Sequence, residues 1–352
     1  MKNKTAIALS GGIDSLVAAH LLKKQGHELI GIHFLTGYEQ KNKSDASPSP
    51  SPISLIGEQL GIKVNILDCA KEFKNTVVKY FCKIYQDGQT PNPCMVCNPI
   101  IKFGTVLNHA YKLGATSLAT GHYVKLSKDN KSKIHLLCGT DATKDQSYFL
   151  ALLTQQQLAA AKFPLGNMTK TKVREIARKK GLKPLAGNES QDICFIRGKS
   201  YKEFLSIHTD FDEKPGLIKD MNGQTLGKHT GIHNYTIGQR RGIDCPSSKP
   251  YYVVGIDNKK NRLIVGNKKD LLASKFKARD INWINNAPDH PIYVQTRVRY
   301  RSEAYDSMVI PIDKKTALVT FITPQSSVAP GQAAVFYHKD EILGGGWILP
   351  NE

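Results

Sequence analysis

Acidic side chains are scarce in this 352-residue sequence: 30 Asp and Glu stand against 49 Lys and Arg, for a formal charge of +19. The shortage excludes a surface built to repel polyanions and predicts a polyanionic partner, nucleic acid ahead of a membrane surface. No run approaches the roughly 18 apolar residues of a membrane span. The opening MKNKTAIALSGGIDS has too few apolar residues before its glycine pair for a signal peptide, so a cytoplasmic protein without membrane contact is expected. The seven cysteines (Cys69, Cys82, Cys94, Cys97, Cys138, Cys194, Cys245) are an odd set without the spacing of a small disulfide scaffold. In a reducing compartment any special ones are expected to be catalytic, redox-active or metal-binding, and the rest core thiols. There is no GxGxxG, no phosphate-loop lysine after the glycines, no second CxxC and no usable internal repeat.

What is present is ordinary globular composition, 40% hydrophobic and 22% charged, in a chain long enough for two to three domains. Residues 5–9 (TAIAL) read as a buried strand, SGGIDS as a turn, and Leu16 to Leu22 as a helix ending at Gly26. Further strands are predicted at 28–34, 63–67 and 117–120, with a helix over 99–113. Such alternation predicts a parallel sheet covered on both faces. The Ser/Pro/Lys-rich stretch 41–54 reads as a surface loop. From about residue 200 the pattern becomes β-branched and aromatic (YYVVGID, RLIVG, IYVQTRVRY, ALVTF, AAVFY), which predicts two small sheets or barrels with a seam near Phe276 to Trp283. The expected fold is therefore an α/β Rossmann-like domain over 1–200, a central β-rich domain over 201–276 and a C-terminal β-barrel over 277–352.

Ser10-Gly11-Gly12-Ile13-Asp14-Ser15 lies between strand and helix, where free backbone N–H groups and the helix dipole favour an anion. SGG alone also fits a plain tight turn; the full SGGxDS resembles the PP-loop of ATP pyrophosphatases, which cleave ATP between the α and β phosphates. Thr90-Pro91-Asn92-Pro93-Cys94-Met95-Val96-Cys97-Asn98 precedes an amphipathic segment, which would put Cys97 near a helix N-terminus and favour its thiolate. Cys94-x-x-Cys97 also matches half a zinc site, and Cys194 taken alone reads as a core thiol.

SGGIDS, TPNPCMVCN with IKFG, ATGHY, KDQSYFL, ESQDICFI, YTIGQRRGI, RYRSE and APGQAAVFY stand in the order found in the tRNA 2-thiouridylase family, which the chain resembles over almost its whole length. The resemblance implies ATP-dependent thiolation of C2 of the wobble uridine in tRNAs for Lys, Glu and Gln. The sulfur would come as a persulfide from a cysteine desulfurase, directly or through a relay protein. It further implies that Ala8, Leu9, Ser10, Gly11, Gly12, Ile13, Asp14 and Ser15 cradle ATP with its Mg²⁺, that Phe34 lines the adenine pocket, and that Gly121 completes the nucleotide site. Cys97 would be the nucleophile and Cys194 the persulfide carrier. Asn92, Pro93 and Cys94 would surround the target base; Lys144, Asp145 and Gln146, with Tyr300 and Arg301 farther away, would contact tRNA; His122 and Gln332 would support the site. The basic run KTKVREIARKK over 170–180 would hold the tRNA backbone or form a solvated helix face.

Cys94 stands where many relatives carry Asp. With Cys97 and Cys194 it supplies three thiols, a ligand set for a four-iron, four-sulfur cluster with one open iron, beside the simpler Cys97–Cys194 disulfide mechanism. Pro99, where relatives commonly carry a basic residue, and the 41–54 loop also depart from the pattern. Two other readings are a PP-loop ligase or amidotransferase, which leaves the paired cysteines unexplained, and a non-catalytic RNA-binding module built on the basic β domains.

Overall fold

The computed structural model describes residues 4–39, 52–185, 193–196, 198, 200–209, 214–245, 250–326 and 328–350. Residues 41–51 of the expected loop and Glu189 to Asp192 lie outside them. Two compact units emerge, one built from the chain up to Val77 with Cys94–Arg197 and Asp340–Leu343, the other from Val78–Pro93, Gly198–Lys339 and Gly344–Glu352.

The first unit holds a five-stranded parallel sheet. Its strands are β1 (Lys4–Ala8), β2 (Glu28–Leu35), β3 (Val64–Asp68), β4 (Ser117–Ala119) and, after a hairpin of β5 (Val124–Lys128) and β6 (Ile134–Cys138), β7 (Ala161–Lys162). The order is β3-β2-β1-β4-β7, so β1 lies centrally, with Ala6 against Ile30 on one side and Leu118 on the other. An apolar run is what such a position demands, since both faces of a parallel sheet are covered. Ile7 and Leu9 pack with Leu16, Val17 and Leu22 of helix Ile13–Lys24 and with Ile53 and Ile56 of helix Pro52–Leu60. Residues 52–54, expected in the loop, instead begin that second helix, because Ile53 and Ile56 recur at helical spacing and are buried.

The helix expected over 99–113 starts earlier and changes pitch. It opens at Pro93, runs as an α-helix to Cys97, widens to a π-helix over Asn98–Val106 and returns to α over Leu107–Lys112. The Gln157 amide supports the wide stretch, donating through Nε2 to the carbonyls of Pro99 at 2.8 Å and Phe103 at 3.1 Å. Wide turns of this kind gather at functional sites.

In the second unit, helix Tyr201–His208 is followed by a four-stranded sheet of β8 (Gly216–Lys219), β9 (Thr225–His229), β10 (Tyr252–Asp257) and β11 (Arg262–Gly266), ordered β10-β11-β8-β9 over a core of Ile218, Tyr235, Val253, Leu263 and Val265. The remaining strands, β12 (Ala273–Trp283), β13 (Ile292–Arg297), β14 (Tyr305–Pro311), β15 (Ala317–Gln325), β16 (Ala333–His338) and β17 (Glu341–Ile348), form a barrel ordered β12-β15-β14-β13-β16-β17 and closed by β12 on β17. The seam expected between Phe276 and Trp283 falls inside β12: alternate residues Phe276 and Ala278 point into the barrel, so this stretch is a barrel strand and not a linker.

Within the first unit, Glu341 and Ile342 pair with Leu137 and Leu136 of β6. The contact is locked by His135, whose Nδ1 donates to Glu341 Oε1 at 2.6 Å and whose Nε2 stands 3.5 Å from Asp129 Oδ2. Those carboxylates raise the His135 pKa above 6.5. A raised histidine stabilises the fold fully below its unfolded pKa and loses that contribution as pH rises through the folded value. Thermal unfolding of wild type and His135→Gln between about pH 6 and pH 8.5 is therefore expected to show a Tm gap that is widest at the acid end and shrinks as the imidazole deprotonates.

Candidate active site

The loops at the carboxyl ends of β2, β1 and β4 meet at one edge of the sheet, the crevice where open α/β sheets bind ligands. Ser10 to Gly12 form the loop after β1. Gly11 adopts φ +77°, and a Cβ there would strike Leu185, whose N–H donates to Gly11 O at 2.9 Å. Ser15 Oγ donates to Gly12 O at 2.9 Å, and Leu9 is fixed on either side by its N–H to Ile32 O and by His33 Nδ1 donating to its carbonyl at 2.8 Å. Gly121 follows β4, and a Cβ on it would come within 3.0 Å of Asp14 C and Ser15 N, so only glycine lets this loop lie against the helix start. Phe34 is half-buried near the end of β2.

Asp14, in the first helical turn, does not reach out freely. Lys170 Nζ donates to its two carboxylate oxygens at 2.7 and 2.8 Å, and Tyr123 OH donates to Oδ1 at 2.7 Å. The Lys170 side chain is 6% exposed, and its backbone N–H is held by Asp141 Oδ2 at 2.9 Å. The carboxylate is thus neutralised inside the protein, and its first task is to hold Lys170 beside the loop.

The thiol cluster lies in the same unit. Cys97 sits in the second turn of the helix that opens at Pro93, not at its N-terminus, and burial pushes its thiol up to about 12. This reverses the expected thiolate: Lys102 pulls the value down, but desolvation outweighs it, and charge on Cys194, Cys94 or Cys69 would push it further up. Cys94 opens to solvent, yet the protein packed around it raises its thiol to about 11, as burial does for Cys69. Cys194 is exposed, not a core thiol; the neighbouring Phe195 and Ile196 are buried in its place. Phe195 anchors the turn against Phe73 and Tyr38, with ring centroids 5.6 and 5.9 Å away.

Three parts of the chain match known domain families: residues 3–198 the tRNA methyl transferase HUP domain, 202–267 the tRNA methyl transferase PRC-barrel domain, and 273–348 the aminomethyltransferase beta-barrel domain. A tRNA-specific 2-thiouridylase MnmA from Desulfosudis oleivorans is 46% identical over 97% of this chain and 94% of its own length. One from Geobacter metallireducens is 41% identical over 99% and 97%, and one from Synechococcus 42% over 96% and 92%. The chain belongs to the tRNA-specific 2-thiouridylase family. Members of this family are tRNA sulfurtransferases.

Against that family's site, the residues expected around the nucleotide, Ala8 to Ser15, Phe34 and Gly121, gather at one sheet edge. Of those expected on tRNA, Asp145 is buried and turned inward: its carboxylate accepts from Gly139 N, Ser147 N and Ser147 Oγ, so it shapes its own turn. Gln146 Oε1 accepts from Tyr123 N, and Lys144 is half-buried. Arg301 is exposed on the turn between β13 and β14, which Ser302 closes by donating from N and Oγ to Arg299 O; Tyr300 precedes it. In the second unit, Gln332 Nε2 donates to the carbonyls of Thr90 and Pro91 at 3.1 and 3.0 Å, and Tyr80 OH takes the N–H of buried Asn92, so both side chains fix the segment leading to Pro93. His122 is buried, with Nδ1 2.7 Å from Thr120 Oγ1.

The basic helix Lys170–Lys179 presents fewer unpaired cations than its sequence suggests. Lys170 faces Asp14, while Lys172 and Lys179 both pair with Glu175 at 3.0 and 2.6 Å. Lys102 and Tyr123 stand inside the IKFG and ATGHY stretches and Lys170 opens the basic run, but their pairing, Lys102 with His122 and Tyr123 and Lys170 with Asp14, is set by the tertiary fold. Among the described residues no group of three or more His, Cys, Asp or Glu side chains stands together as a metal site.

Asp14→Ala leaves the Lys170 ammonium buried without its carboxylate, and is expected to cost about 3 kcal/mol, the low end for a broken buried pair because Asp14 is itself one-third exposed. Adding Lys170→Met removes the stranded charge, so thermal unfolding should show the double variant regaining a good part of the lost Tm; equal losses in single and double variants would contradict the pairing.

Proposed function

We propose that this chain uses ATP to replace the C2 oxygen of the wobble uridine of tRNA by sulfur. What carries the reading is one arrangement in the first unit: an anion-binding loop at the carboxyl edge of the sheet, and two thiols, Cys97 and Cys194, near enough for charge on one to shift the other. Family membership supports the reading, and the charge of +19 suits a polyanionic substrate.

The C2 oxygen is a poor leaving group. It attacks the α-phosphorus of ATP, which arrives with its Mg²⁺, and pyrophosphate departs while the N–H groups of Gly11 to Ile13 face the phosphates. Cys194, exposed on its turn, takes up a persulfide from a cysteine desulfurase or relay protein. The Cys97 thiolate then attacks the Cys194 sulfur, forming a Cys97–Cys194 disulfide and expelling HS⁻. That HS⁻ adds to C2 and displaces AMP, giving the C2=S product, and an external dithiol returns two electrons to the disulfide. Asn92, Pro93 and Cys94 flank the base, while Lys144, Gln146, Tyr300 and Arg301 hold the tRNA. The division of labour gives the chemistry and the Lys144 and Gln146 contacts to domain 1–200 and the rest of the hold on the polyanion to 201–276 and 277–352, in a cytoplasmic enzyme that serves tRNAs for Lys, Glu and Gln.

Mass spectrometry of nucleosides after incubation with tRNA, ATP and a persulfide donor should find 2-thiouridine derivatives with the wild type. Cys97→Ser and Cys194→Ser should each lower the yield about a thousandfold or more, the scale of losing a nucleophile, with tRNA binding nearly unchanged. Pyrophosphate release should persist in Cys194→Ser. A wild type that releases pyrophosphate with tRNA but incorporates no sulfur would point to another PP-loop reaction.

A further inference from the structure

Burial leaves the proposed nucleophile in a poor state for its task. Cys97 needs to be a thiolate when it meets the persulfide, yet its surroundings favour the protonated thiol. Of the groups that act on it, Cys94, Cys194 and Cys69 disfavour a negative sulfur, and the cation that favours one is Lys102.

The wide helical stretch accounts for the placement. In an α-helix, residues five apart point in different directions; in a π-helix, where i bonds to i+5, they return to nearly the same side. Cys97 immediately precedes the π stretch and Lys102 lies five residues on. Lys102 is steered from outside the helix as well. Its Nζ is 3.4 Å from His122 Nε2, and the buried imidazole is held neutral by desolvation, its pKa well below 6.5. Nε2 therefore accepts from the Lys102 ammonium, and Nδ1 donates to Thr120 Oγ1 at 2.7 Å. A protonated histidine at that place would repel the ammonium; the neutral one orients it without cancelling its charge.

Building on the thiolation reading, we propose that Lys102 is a positioning residue for sulfur transfer: held by His122 and by the π turn, its ammonium stabilises the Cys97 thiolate for attack on the Cys194 persulfide and then faces the HS⁻ that leaves. In the balanced step, Cys97-S⁻ and Cys194-S-SH become Cys97-S–S-Cys194 and HS⁻, and the unit of negative charge stays within the field of one ammonium throughout. The adenylation step, at the loop after β1, does not need Lys102.

The test uses the full-length protein as wild type, Lys102→Met and Lys102→Arg. Iodoacetamide labelling of Cys97, followed by peptide mass spectrometry across a pH series without tRNA or ATP, reads the thiolate directly. Lys102→Met is expected to slow labelling about tenfold at a given pH, the effect of raising the thiol by one pH unit, and Lys102→Arg to restore most of the rate. With Cys194 preloaded as persulfide, single-turnover disulfide formation should slow by a similar factor in Lys102→Met, whereas pyrophosphate release and Tm stay near wild type. Identical labelling profiles in wild type and Lys102→Met would overturn the proposal, as would a parallel loss of pyrophosphate release and sulfur transfer, which marks a structural role. If the wild type labels as expected but forms neither disulfide nor thiolated nucleoside, the thiolation reading fails, and the positioning role for Lys102 in sulfur transfer fails with it.

Discussion

Parallel pairing of β1 between β2 and β4 is the constraint from which the catalytic unit follows. Parallel strands need crossovers, and every crossover returns to the same edge of the sheet. The turn after β1, the end of β2 and the turn after β4 are thus delivered to one place by backbone hydrogen bonding, before any side chain is chosen. Glycine at 11 and 121 then lets the loops close on each other, and the helix start at Ile13 supplies the oriented N–H groups. A buried ion pair, Lys170 on Asp14, fastens the next helix to that edge from a position 156 residues away in the chain.

Around the thiols the physics runs the other way. Packing that fixes Cys97 also removes water from it, and water is what a thiolate most needs. A single nearby ammonium only partly offsets that loss. In the proposed reaction Cys97 would thus be a nucleophile held protonated at rest, which suits a sulfur chemistry whose intermediates react with stray thiols and oxidants.

How legible this was depends on the range of the interactions concerned. SGGIDS could be read because a strand, two glycines and a helix start are local features of consecutive residues. The parallel sheet followed by β domains could be read because the hydrophobic period changes near residue 200. Asp145, between Lys144 and Gln146, looks like surface; only the folded turn, in which Gly139 and Ser147 aim their donors at it, explains its burial. The π stretch was hidden because its apolar residues also satisfy an ordinary helical period, and the amide that supports it, Gln157, lies more than fifty residues on. Cys97 reads as a residue at a helix start because the apolar period becomes plain only after it, whereas the first helical position is Pro93, a place that proline favours.

The hydrogen bonds from Gln332 to Thr90 and Pro91 join residues 242 and 241 positions apart. A ribosome adding about 5–20 residues per second makes the early partner some ten to fifty seconds before the late one. During that interval the second unit cannot close on the segment that leads to Pro93, and the entropy of a very long loop opposes the contact until the last barrel strands are made. Within the second unit, Thr90 and Pro91 therefore gain this support only once Gln332 has been made.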